Sequence, residues 1–176
     1  PGPRSGTLTL YDTATGEAFQ TLEEVGQQAS EIFPLHENVV WSPGGDKLLF
    51  LRSSPNAESV NLFLYDLSTE EVKPLTNDNG LNLAAAWSSS GDKVAFAKLE
   101  ACGLSAWDCL PEEQFWEIVI TELDGSSAHP ITDFRSNKLL SPGNLWFTSL
   151  CNLAWSPDAT YLAFENECGG ELLGTK

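Results

Sequence analysis

An all-β fold of repeated four-stranded antiparallel units follows from three observations. First, one phrase occurs three times: "WSPGGDKLLF" from Trp41, "WSSSGDKVAF" from Trp87 and "WSPDATYLAF" from Trp155. Second, another phrase follows it: "LFLYDLSTEEVKPLT" at 62–76 matches "IVITELDGSSAHPIT" at 118–132, and "LTLYDTATGEAFQTL" at 8–22 is a looser version. Third, apolar residues alternate or run in short blocks bounded by Gly, Pro, Asp and Ser. Half-buried and fully buried strands carry this pattern.

The first phrase reads as strand, tight turn, strand. "NVVW" and "KLLFL" are short apolar runs on either side of "SPGG". Pro presets φ at the first corner of such a turn, and the corner that follows suits glycine at positive φ. Gly45 and Gly91 supply it in the first two copies. Ala159 stands there in the third, at an expected cost of about 1 kcal/mol. The second phrase is again strand, polar turn, strand, ending in Pro-Leu/Ile-Thr. Asp66 aligns with Glu122, Pro74 with Pro130 and Thr76 with Thr132. Leu8 and Leu10, Leu62 and Leu64, and Ile118 and Ile120 give each leading strand one apolar face.

Together the two phrases make one four-stranded unit. Trp41 and Trp87 lie 46 positions apart, and the interval to Trp155 is lengthened by inserts at 99–115 and 134–150. Four strands in about 40–45 residues is the spacing of a β-propeller blade. The chain then reads as a single domain over 1–176. Its blades run from about 37 to 76 and from 83 to 133, with half-blades at 5–22 and 150–168. That makes about three blade equivalents: a partial propeller, or part of a larger ring. Only 21–33 has a helical composition, weakened by Gly26.

These residues resemble the TolB-type WD40-like repeat, whose pattern runs approximately W-S-P-D-G-x-x-I-A-F, I-Y-V-x-D-x-x-x-G, then L-T. Trp41, Ser42, Pro43, Gly45, Phe50, Tyr65, Asp66, Leu75 and Thr76 match it. So do Trp87, Ser88, Gly91, Phe96, Ile131 and Thr132, and then Trp155, Ser156, Pro157, Asp158 and Phe164. Ser89 replaces the Pro and Ala159 the Gly. The resemblance implies a propeller, commonly of six or seven blades, in secreted or periplasmic proteins of many functions.

Composition restricts the function. The chain of 176 residues carries a formal charge of −16, with 41% hydrophobic and 19% charged residues, and its pI is about 4.2. A core can form at this length, and the low charged fraction argues against disorder. Phosphate backbones and anionic membranes would repel such a chain, so nucleic acid is not an expected partner. No apolar run is long enough to predict a membrane span. Met is absent and "PGPRSG" reads as a linker, which suggests a processed product or a fragment.

Cys102 and Cys109 bracket "CGLSAWDC", and Cys151 and Cys168 flank the third phrase. Two local disulfides, Cys102–Cys109 and Cys151–Cys168, are the expected reading, in an extracellular, periplasmic or cell-surface setting. Free thiols and a zinc site are the alternatives. Neither pair has the CxxC or nearby His that zinc prefers, so no metal is expected.

No G-x-S-x-G elbow, P-loop, Rossmann glycine set or HExxH is present, and adjacent carboxylates such as Glu70–Glu71 and Glu112–Glu113 should point to opposite faces. No catalytic residue, cofactor or enzyme activity is expected. "TNDNGLN" at 76–82 is a faint calcium-loop candidate that lacks the D-x-D-x-D-G spacing, so it reads as an inter-blade turn. Trp41, Trp87 and Trp155 recur at one position and are expected to pack between sheets. Trp107, Trp116, Trp146 and Phe147 fall in or beside the inserts, outside the repeat register, and are candidate partner-binding residues.

The function expected is therefore a non-catalytic extracytoplasmic interaction or scaffold module. It would assemble with itself, as an oligomer or fibre, or with another protein. A glycan- or small-ligand-binding propeller and an accessory fragment of a larger secreted enzyme are the alternatives. Strand 161–166 is expected to pair with 7–12 of a neighbouring copy, since neither edge is blunted by Lys or Pro.

Overall fold

The computed structural model describes residues 7–23, 39–54, 59–100, 116–132 and 150–166. These form twelve strands and no helix. Strands β3 (Val40–Trp41), β4 (Lys47–Ser53), β5 (Val60–Asp66) and β6 (Glu71–Pro74) make one antiparallel blade. A second consists of β7 (Leu81–Trp87), β8 (Lys93–Leu99), β9 (Trp116–Glu122) and β10 (His129–Pro130). One parallel pair, Val60 with Leu81, joins the two blades. Hairpins β1 (Thr7–Tyr11)–β2 (Ala18–Glu23) and β11 (Leu150–Trp155)–β12 (Leu162–Asn166) stand as separate two-stranded sheets. Of the segment with helical composition, 21–23 belongs to β2, and the remainder lies outside the described residues.

The alternation of β4 explains how the sheets stack. Its residues 48–51 are all buried, as in a strand covered on both faces. Leu49 and Leu51 point into the larger cluster with Leu62, Leu64, Trp87, Val94 and Phe96 of the two blades. Leu48 and Phe50 point the other way, with Tyr65, under Leu10 and Leu22 of the β1–β2 hairpin. That hairpin therefore sits on the first blade as an outer strand pair of a preceding blade. Leu153 and Leu162 of β11–β12 pack on the far side of the larger cluster, as the inner pair of a following blade.

The recurring turn has one geometry in all three copies. The amide of Gly45, Gly91 and Ala159 donates to the carbonyl of Ser42, Ser88 and Ser156, at 2.9 Å each. Each Ser Oγ accepts the amide five residues on, from Lys47, Lys93 and Tyr161. The same hydroxyls donate to Asp46, Asp92 and Asp158. The Asp shifts from the fourth to the second position after Ser in the third copy and still reaches the hydroxyl. Gly45 and Gly91 have φ of 70° and 75°, and Ala159 keeps that backbone at 55°. Ala159→Gly is accordingly expected to stabilise the chain by about 0.5–1 kcal/mol, since relief of left-handed strain exceeds the added unfolded-state entropy. A urea midpoint that is unchanged or lower contradicts this.

The Pro-Leu/Ile-Thr ending also has a structural reason. Thr76 Oγ1 accepts from the Leu62 amide at 2.9 Å, and Thr132 Oγ1 from the Ile118 amide at 2.8 Å. Each hydroxyl takes over a ladder position where the outer strand stops pairing.

Candidate interaction surface

The tryptophans report how the blades are joined. Trp87 is 7% exposed, and its indole Nε1 donates to the Val40 carbonyl at 3.0 Å. Trp155 donates to the Ala86 carbonyl at 3.3 Å. In each case the acceptor is the residue just before the tryptophan of the preceding blade. Trp41 is the same residue in the first blade, yet it is 47% exposed. The expectation that all three tryptophans pack between sheets thus needs correction. A blade seam buries a tryptophan only when an inner strand pair precedes it, and β1–β2 supplies outer strands alone.

The same contrast appears at other repeat positions of the two terminal hairpins. Tyr65 is fully buried, whereas Tyr11, its counterpart in β1, is 64% exposed. Phe50 and Phe96 are each 2% exposed, whereas Phe164, their counterpart in β12, is 38% exposed. Trp41 pairs across the sheet with Leu48, so it lies on the face that β1–β2 covers only in part. Tyr11 and Trp41 are thus exposed on and beside the β1–β2 hairpin, and Phe164 on the β11–β12 hairpin. β1–β2 and β11–β12 do not pair with each other, so the described strands do not close into a three-blade ring.

Of the residues singled out in the inserts, Trp116 needs correction as a candidate for partner binding. It opens β9 opposite Leu99 and is 9% exposed within the larger cluster. The strand begins one residue after the insert, and its pairing with β8 draws the indole inward. Trp107, Trp146 and Phe147 lie outside the described residues, as do Cys102, Cys109 and Cys168. Cys151 is placed through its backbone, opposite Glu165.

The 76–82 segment is an inter-blade turn. Asn61 Oδ1 accepts from Thr76 Oγ1 and the Asp78 amide, and Asn61 Nδ2 donates to the Asp78 carbonyl. Asp78 Oδ1 accepts from the Gly80 amide and Asn82 Nδ2, while its Oδ2 pairs with Lys98 Nζ at 3.1 Å. The fully buried Asn82 also donates to the Val60 carbonyl at 2.9 Å. Burial disfavours the Lys98 ammonium, but Glu100 and Asp78 outweigh it and raise its pKa. The carboxylate of this turn is thus occupied by protein donors. Among the described residues no group of His, Cys, Asp and Glu is arranged to hold a metal.

The hairpin turns hold their carboxylates ionised. Hydrogen bonds from Ser68, with help from Lys47, bring Asp66 down to about 2. Turn donors likewise lower Asp12, Asp92, Asp124 and Asp158, and Lys47 with Ser42 lowers Asp46. A carboxylate whose pKa is depressed by folding contributes stability above its unfolded pKa and loses it as pH falls through the folded value. Little change in urea midpoint is expected from about pH 7 to 5, followed by a fall from about pH 4 towards 2. Asp66→Asn should shallow that fall, and an unaltered slope contradicts the assignment.

Comparison with known proteins bears on the fold. No family model matches the chain, and no curated protein matches it in sequence. Solved structures do resemble it. Hydrazine synthase of Kuenenia stuttgartiensis superposes with a TM-score of 0.58 at 13% identity, over 90% of this chain and 42% of that one. TolB from Acinetobacter baumannii gives 0.52 at 22% identity, over 90% and 31%. The fold is that of a β-propeller. A putative TolB from Agrobacterium tumefaciens agrees, at 0.50 and 18% identity, over 90% and 48%. The chain spans less than half of the length of each of these propeller structures.

Proposed function

We propose that the chain is a non-catalytic protein-interaction module that works outside the cytoplasm and engages protein beside its two terminal hairpins. The observation that carries this reading is the exposure of Tyr11, Trp41 and Phe164 at positions where complete blades bury their counterparts. Aromatic side chains on an open sheet face are the usual anchors of a protein interface. Strand edges beside them offer ladder hydrogen bonds to an added strand. Likeness to TolB propellers is in keeping with such a role. The two local cysteine pairs of the sequence support an oxidising compartment.

A photo-reactive amino acid tests this reading. Placed at position 41 it should yield protein adducts, and placed at Thr69, in the exposed β5–β6 turn, it should not. Equal labelling at both positions, or no adduct at either together with binding on a glycan array, overturns it.

A further inference from the structure

We infer that Asn79–Gly80 is a gated modification site: the closed inter-blade turn withholds Asn79 from deamidation, opening of the turn admits it, and the isoaspartate that follows keeps the turn from closing again. The inference goes beyond the interaction-module reading and does not depend on it.

Asn79–Gly80 is the one Asn-Gly step in the chain. Asparagine is most reactive in this context, because the residue that follows has no side chain to hinder its amide nitrogen. The chemistry needs no co-reactant but water. The Gly80 amide nitrogen attacks the side-chain carbonyl carbon of Asn79. The bond from that carbon to the side-chain nitrogen breaks, and ammonia leaves with the amide proton, closing a cyclic imide. Water then opens the ring at either carbonyl. The product at position 79 is an aspartate or an isoaspartate. One water is consumed for each ammonia released, and nothing is oxidised or reduced.

The structure leaves one half of this reaction open and ties the other half down. Asn79 is exposed, whereas Gly80 is buried and its amide donates to Asp78 Oδ1 at 2.8 Å. A carboxylate at that distance opposes loss of the amide proton, which the attack requires. Asp78 is itself fixed by Lys98 Nζ and Asn82 Nδ2, each at 3.1 Å, and by the Asn61 side chain on its amide and carbonyl. On the other side, the Gly80 carbonyl accepts from the Val60 amide at 3.0 Å, beside the parallel pair Val60–Leu81 that joins the blades. The Gly80 nitrogen can swing towards the Asn79 side chain only after these bonds open.

An isoaspartate routes the main chain through an extra methylene and adds a carboxylate next to Asp78. The longer chain takes the amide and carbonyl of residue 80 out of register with Asp78 and Val60. Leu99 blocks a compensating shift, since a Cβ on Gly80 would already stand 2.6 Å from its carbonyl oxygen. The added charge repels the Asp78 carboxylate, so the turn between the two complete blades stays open.

The folded chain and the same chain held unfolded in urea are incubated at mildly alkaline pH. Mass spectrometry follows the Asn79 peptide for the amide-to-acid mass gain, and enzymatic methylation counts isoaspartate. In urea, deamidation is expected at the rate of a free peptide of the 76–82 sequence. In the folded chain it should be roughly 100-fold slower or more, the factor being set by local opening. Asp78→Asn keeps an acceptor oxygen and loses the charge, and Asp78→Ala removes both. With each variant normalised to its own rate in urea, the folded-state rate should rise in that order, by roughly 10- to 100-fold for Asp78→Ala. If circular dichroism shows Asp78→Ala to be unfolded, Asp78→Asn carries the comparison alone. At low urea concentrations that leave the chain folded, deamidation and hydrogen exchange of the Gly80 amide should accelerate in constant proportion, since one opening admits both. The refolded isoaspartate form should show a Val60 amide that has lost its protection. Equal rates in the folded and unfolded chain, no acceleration in the Asp78 variants, deamidation that does not track exchange, or a Val60 amide still protected in the isoaspartate form overturns the inference.

Discussion

Trp87→Ala is expected to cost about 3–5 kcal/mol, enough to leave much of the chain unfolded at room temperature. The indole is buried between the two complete blades, in the cluster that holds Leu49, Leu64, Val94 and Phe96. Truncation opens a cavity that neither sheet can collapse into, because the parallel pair Val60–Leu81 and the Asn82 bond to Val60 hold the blades apart at fixed spacing. The Val40 carbonyl also loses its donor. Trp107→Ala, in the insert between β8 and β9, should cost far less. Urea unfolding followed by circular dichroism measures both, and equal losses would mean that the insert belongs to the core.

The second large effect is expected at Gly80. A Cβ there would stand 2.6 Å from the Leu99 carbonyl oxygen, a backbone atom of β8 that cannot turn aside. The Gly80 carbonyl is meanwhile tied to the Val60 amide at 3.0 Å, and its own amide to Asp78 Oδ1 at 2.8 Å. Relief of the clash must therefore shift β7 against β8 or break the inter-blade turn, at about 1–3 kcal/mol for Gly80→Ala. Hydrogen exchange gives a second readout. The amides of Val60 and of residue 80 should lose more protection than those of Ala95 and Phe96 in the middle of β8. Equal loss of protection along β8 would place the damage in the whole blade instead of the turn.

How far the sequence reaches is clearest at matched positions. The Trp-Ser-turn phrase prescribes a hairpin wherever it occurs, because its hydroxyl, carboxylate and positive-φ corner lie within a few residues of one another. The structure keeps that geometry even where Ala159 replaces glycine. Alternation in "LFLYD" and "IVITE" likewise prescribes strands, since a strand's two faces are written in neighbouring residues. The left-handed residues Ala84 and Asn152, at the matching bulges of β7 and β11, have no such local signal. The candidate surface was less legible. Its apolar, β-prone ends could be read, but nothing local in an aromatic beside an insert tells depth, and Trp116 proves to be buried in β9.

The amino-acid sequence by itself determined the hairpins, their turns and the four-strand unit, because the interactions that specify them are local and repeat with the phrase. Only the tertiary structure decided which copies of a residue are core and which are surface. Trp41 and Trp87 sit in nearly identical phrases, as do Tyr11 and Tyr65, yet one of each pair is exposed and the other buried. Burial is a property of the neighbouring sheet, and whether a neighbouring half-blade is in place is settled by packing between distant segments, which the repeated phrase does not encode.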